Sequence, residues 1–145
     1  MFKHILIPTD GSELATQAVD KGVALAAQIG ASVTILTVTE PFHILSTDAM
    51  QVESSRASYD RDTGAYADKV LRAAQDRAAA AGVRVETHHK WNDSPYQAII
   101  DTALEEGCDL IAMASHGRRG MAAVVMGSQA TRILTHSKIP VLVYR

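Results

Sequence analysis

Cysteine is nearly absent from this sequence: its 145 residues include one, Cys108. That rules out a disulfide framework and a cysteine-based zinc site. Cys108 lies between Gly107 and Asp109 and reads as a small filler rather than a redox thiol. Long apolar runs are lacking too; none approaches the ~18 residues that cross a bilayer. Charge of one sign is also lacking. Lys and Arg total 14 against 16 Asp and Glu, a formal net charge of −2, so there is no global electrostatic case for nucleic-acid binding. The chain passes from Lys3-His4 directly into a short strand-like run ending at Pro8, without the apolar region and small-residue cleavage site of a signal peptide. A soluble cytoplasmic protein is the expectation. Two nucleotide signatures are missing as well. No Gly-x-x-x-x-Gly-Lys-Ser/Thr run occurs, which excludes a P-loop ATPase. No Gly-x-Gly-x-x-Gly follows the first strand, which leaves the usual dinucleotide site unsupported.

What is present is ordinary globular material, 47% hydrophobic and 21% charged. The length fits one domain, residues 1–145, and lets ~70% of the unfolded surface be buried. Element types alternate. His4 to Ile7 is a short apolar strand stopped by Pro8-Thr9-Asp10-Gly11. Ser12 caps a helix whose Leu14, Ala18, Leu25, Ala26 and Ile29 recur at helical spacing, and Gly30 stops it. Ser32 to Val38 is β-branched and reads as strand two. After a loop over 39–50, residues 51–81 form a long amphipathic helix. Val52, Tyr59, Tyr66 and Ala73 mark its stripe, and Thr63-Gly64 is a weak point. Val83, Val85, Thr87 and His89 alternate as strand three. Ser94-Pro95-Tyr96-Gln97 predicts a capping-box start for a helix that buries Ala98, Ile99, Ala103 and Leu104. Asp109 to Ala114 is strand four, a helix carries Ala130, Ile133 and Leu134, and Pro140 to Tyr144 is the terminal strand. This order predicts a doubly wound parallel sheet with its ligand site beyond the carboxyl ends of the strands.

The sharpest motif follows strand four: Ala114-Ser115-His116-Gly117, nine residues, then Gly127-Ser128 opening a helix. Gly117 and Gly120 admit close approach of backbone amides to an anion. A helix start adds free N–H groups and the positive dipole end, and the Ser128 hydroxyl donates to a phosphate oxygen. The same residues also suit a surface loop before a Ser-opened helix, and spacing alone leaves both open. Asp10, at the end of strand one, serves a ribose hydroxyl or base amine, or is simply a turn former. His88 and His89 fall on opposite strand faces, so no two-histidine metal site is expected there. No metal site is expected elsewhere.

Pro8-Thr9-Asp10-Gly11-Ser12, Ser115-His116-Gly117-x9-Gly127-Ser128 and Ile139-Pro140-Val141-Leu142-Val143 together resemble the universal stress protein family, in the same order along the whole chain. The resemblance implies a five-stranded parallel sheet of order 3-2-1-4-5 with four helices, of the adenine nucleotide alpha-hydrolase-like type. It also implies a homodimer paired through Val141, Leu142, Val143 and Tyr144. For the ATP-binding members it implies a Gly-x-x-Gly-x9-Gly-Ser/Thr pattern, from which this chain departs at Ala114. Carried over, Ser115, His116, Gly117 and Arg118 with Gly127, Ser128, Gln129 and Ala130 hold phosphates. Pro8, Thr9 and Asp10 border adenine and ribose, and the Val38 backbone meets the adenine edge. The implied ligand is ATP, with or without Mg2+; AMP, ADP and cyclic AMP stay open. The implied function is a cytoplasmic, homodimeric stress-response sensor or regulator acting on an unknown protein partner. Its alternatives are a nucleotide-free dimer and a slow ATP-hydrolysing enzyme, the latter disfavoured by the absence of a P-loop lysine and an evident general base. A two-component receiver is a further alternative, but only Glu40 and Asp93 are candidates for its carboxylate cluster.

Overall fold

The computed structural model describes residues 1–43, 48–117 and 126–145. Strands β1 (His4–Pro8), β2 (Ser32–Thr39), β3 (Val85–Trp91), β4 (Leu110–Ala114) and β5 (Val141–Tyr144) alternate with helices α1 (Glu13–Ile29), α2 (Ala49–Ala80), α3 (Pro95–Glu105) and α4 (Ser128–His136). The five strands form one sheet of order β3-β2-β1-β4-β5, parallel at every pairing. This is the order and helix number expected above.

Period-two alternation sorts the strand residues between two cores. Ile5 and Ile7 pack with Val19 and Val23 of α1 and with Leu71 and Ala74 of α2. Leu6, one residue along, packs on the opposite face with Leu36, Ile111, Ile99 of α3 and Ile133 of α4. Each fully buried Ile or Leu of these strands contributes about 1.5–3 kcal/mol of burial.

Helix α1 starts as expected, with the Ala15 N–H donating to Ser12 Oγ at 3.2 Å, and ends at Gly30 with φ 72°. Its buried face is built from small residues, and Ile29, 43% exposed, lies off it. Gly22 lets the helix settle on β1: a β-carbon there would lie 2.6 Å from Ile7 Cδ1.

Helix α2 differs from expectation in three ways. It begins at Ala49, capped by Asp48. It runs unbroken through Gly64, next to Thr63, whose Oγ1 donates back to the Tyr59 carbonyl at 2.6 Å. Its buried residues are Ala67, Leu71, Ala74 and Ala78, not the Val52–Tyr59–Tyr66–Ala73 stripe. Tyr66 and Ala73 each stand one residue before a buried alanine, Ala67 and Ala74, and one residue turns an α-helix by about 100°, which carries the stripe off the core line.

The capping box at α3 is not formed. Ser94 makes no side-chain cap bond; its N–H donates to Asn92 Oδ1 at 2.8 Å, and Gln97 donates to Asp101 at 2.8 Å. The cap comes from α4 instead, because the Tyr96 N–H donates to Gln129 Oε1 at 2.9 Å. Leu104 and Leu134, expected in the buried stripes, are 61% and 43% exposed; each lies beside a smaller or better-aligned residue, Ala103 or Ile133, that is fully buried.

Candidate functional site

Strand β1 pairs with β2 on one side and β4 on the other. Its outgoing connection runs to β2, while β4 is reached from β3, so the winding reverses between β1 and β4. In doubly wound sheets this switch leaves a crevice beyond the carboxyl ends of the two strands. Thr9, Asp10, Ser115, His116 and Gly117 follow directly on those ends.

The β1 side is held by short-range and cross-sheet bonds. The Thr9 N–H donates to the Leu36 carbonyl at 2.8 Å, and Thr37 Oγ1 donates to the Thr9 carbonyl at 2.9 Å. Asp10 Oδ1 accepts from the Ser12 N–H at 3.0 Å, which makes it the turn former anticipated above. Its other oxygen is aimed across the crevice: a β-carbon on Gly117 would lie 2.5 Å from Asp10 Oδ2. Gly117 is therefore the residue that lets the β4 loop approach the Asp10 carboxylate. Gly11 has φ +80°, and a β-carbon on it would meet Tyr66 Oη and Val70 Cγ2 at 2.6 Å each. Lacking one, Gly11 lets α2 close over the turn, where Tyr66 Oη donates to the Asp10 carbonyl at 3.0 Å.

The β4 side is set by Ser115, which is buried. Its N–H donates to the Tyr144 carbonyl at 2.8 Å, and its own carbonyl accepts from the Gly127 N–H at 2.8 Å. This bond draws the start of α4 onto the end of β4. A β-carbon on Gly127 would lie 3.0 Å from the Ser115 carbonyl oxygen and 3.5 Å from His116 Cα. Gly127 is the N-cap of α4, which has no side-chain cap, and N–H groups of a first helical turn lack partners on their own helix. Ser115 Oγ and His116 Nδ1 lie 2.9 Å apart, so the serine hydroxyl orients the ring.

The expected residues thus divide. Pro8, Thr9, Asp10, Ser115, His116, Gly117 and Gly127 converge on the switch point, and Ser128 is exposed at the helix start. Val38 extends beyond the last β1–β2 partner, Pro8↔Leu36, so it has no β1 partner. Ala130 is buried in the core and the Gln129 side chain is committed to α3, which leaves their backbone as what they offer. Arg118 lies outside the described residues, as does Gly120. Ala114 needs no glycine conformation. It is a buried residue of β4 paired with Tyr144, and among the described residues only glycines have positive φ.

Sequence reasoning missed Thr37 and Tyr66, which fasten Thr9 and Asp10 from 28 and 56 residues away. It also missed Tyr59, whose Oη donates to the Glu40 carbonyl after β2 at 2.6 Å. The tyrosine spacing was visible as a helical stripe; its use as a set of loop anchors was not. A cavity of about 290 Å³ opens between α1 and α2, lined in part by Gly11, Tyr66, Lys69 and Arg77. It shares only Thr9 with the expected set.

Among the described residues no helix is long and apolar enough to cross a membrane. The family model described as universal stress protein family matches residues 1–145. Universal stress protein YxiE of Bacillus subtilis is 29% identical over 149 residues, spanning 100% of both chains. The solved structure of universal stress protein UspA from Lactobacillus plantarum covers 99% of this chain and 98% of its own, at TM-score 0.87 and 23% identity, a likeness of fold. A crystal structure of a universal stress protein in complex with cAMP is 28% identical at TM-score 0.73, covering 99% of this chain and 97% of its own. With the strand order, the β1 and β4 end motifs and a match along its whole length, this chain belongs to the universal stress protein family.

Proposed function

We propose that this protein binds an adenine nucleotide, ATP foremost, in the crevice between the ends of β1 and β4, and acts as a cytoplasmic, homodimeric sensor or regulator. The observation that carries this reading is the junction at Gly127. Its N–H bond to Ser115 pulls an uncapped helix start onto the end of β4, facing the carboxylate of Asp10 across Gly117. A helix start favours phosphate through its N–H groups and dipole. A carboxylate held opposite favours the ribose hydroxyls. The cAMP complex of a relative at 28% identity supports an adenine mononucleotide as the ligand class. The near-neutral net charge of −2 agrees with this: a small phosphate ligand needs only local amides, whereas a polyanion needs a basic surface.

Equilibrium dialysis against ATP, ADP, AMP and cyclic AMP at millimolar concentration tests the reading. Uptake of at least one is expected, and Gly127→Leu weakens it at least tenfold without changing the circular dichroism or the oligomeric mass. No uptake of any of them by the wild-type chain defeats it.

A further inference from the structure

Strand β3 brings Glu86 and His88 to one face, two residues apart, and Glu106 closes the end of α3 above them. The three side chains place one ligand atom each within 4.8 Å of one another. His88 Nε2 is buried without a hydrogen-bond partner and lies 3.4 Å from Glu106 Oε1. A buried imidazole nitrogen left without a hydrogen bond keeps its desolvation cost until a donor or a cation meets it. Among the described ion pairs no Lys or Arg meets Glu86 or Glu106; the neighbouring Lys90 is taken by Glu105 at 2.6 Å. Two carboxylates, an imidazole nitrogen that makes no hydrogen bond and the negative end of α3 therefore converge with no Lys or Arg paired to them among the described residues.

We infer that Glu86, His88 and Glu106 bind a divalent transition-metal ion of the zinc class. Two donors about 2.0–2.1 Å from a tetrahedral zinc lie about 3.3–3.4 Å apart, which is the His88–Glu106 separation of 3.4 Å. Glu86 is exposed, so its rotamers close the remaining distance, and water takes the fourth position. An imidazole ligand selects zinc-like ions over magnesium or calcium, and two carboxylates neutralise the ion. The bound ion clamps edge strand β3 to the end of α3. The nucleotide crevice plays no part in this argument.

The test uses the full chain stripped with chelator and then dialysed against zinc, with bound metal measured per chain. One ion is expected. His88→Ala and Glu106→Gln each weaken uptake at least tenfold, and Glu86→Gln, on an exposed side chain, does the same should the others fail to fold. His43→Asn is the control, because His43 also makes a histidine–carboxylate contact, 3.3 Å from Asp93, with both side chains about two-thirds exposed; uptake is expected to survive it. Absence of zinc uptake, uptake unchanged in the site variants, or uptake lost in His43→Asn overturns the assignment.

Discussion

Asp109 ties the start of β4 to the start of β1. Its carboxylate accepts from the Lys3 N–H at 2.9 Å and from the His4 N–H at 3.0 Å. Desolvation pushes this carboxyl up, but the backbone N–H bonds and the nearby His4 outweigh it and hold it below its usual value. A carboxyl lowered by folding stabilises the protein above its unfolded pKa, and that contribution disappears as pH falls through the folded value. Asp109→Asn is therefore expected to cost about 1–2 kcal/mol at pH 7, with the gap to wild type closing below about pH 4. Urea unfolding of both proteins at pH 7 and pH 3 measures this; a gap of constant size would contradict it. Cys108, next in the chain, is buried and its thiol is pushed up to about 11, mainly by desolvation. That agrees with its reading as a filler from sequence, where a residue type and its immediate neighbours sufficed.

At the scale of elements, helix ends separate what neighbours in sequence decide from what distant segments decide. Ser12 and Gly30 bound α1 as expected, because a cap and a left-handed stop act within a few residues. Ser94 had the same local credentials and does not cap α3. Gln129, 33 residues on, supplies the bond, and Tyr96 packs its ring between α3 and α4 against His136 at 5.3 Å. Gln129→Ala is thus expected to cost about 1 kcal/mol, the usual worth of a cap, while Ser94→Ala changes stability by less than about 0.5 kcal/mol. Denaturant midpoints of the two variants decide this; the reverse order would return the cap to Ser94. Tyr66 and Thr37 make the same point at the crevice, since nothing near them in the chain announces that they hold Asp10 and Thr9.

For the molecule as a whole, the sheet has two edges, β3 and β5, and they differ in character. On β3, Glu86, His88 and Lys90 face α3, and charged groups on an edge strand discourage pairing with another chain. On β5 the residues are Val141, Leu142, Val143 and Tyr144, with Leu142 37% exposed. An apolar terminal edge invites a second copy, so the proposed homodimer uses β5. Light scattering is expected to return twice the chain mass for the wild type and one chain mass for Leu142→Glu, with unchanged circular dichroism. A monomeric wild type would remove the dimer from the proposed function.

The sequence by itself determined the order of strands and helices, the parallel doubly wound sheet and the glycines at the ends of β1 and β4. These depend on hydrophobic period, turn chemistry and missing β-carbons, all of which act between near neighbours. Only the tertiary structure decided which face of α2 is buried, which residue caps α3, which side chains fasten Thr9 and Asp10, and that Glu86, His88 and Glu106 meet. His88 was set aside from sequence because its neighbour His89 points the other way. Its carboxylate partner lies at the end of the next helix, and such pairings depend on how elements pack across the sheet, a relation that no local spacing encodes.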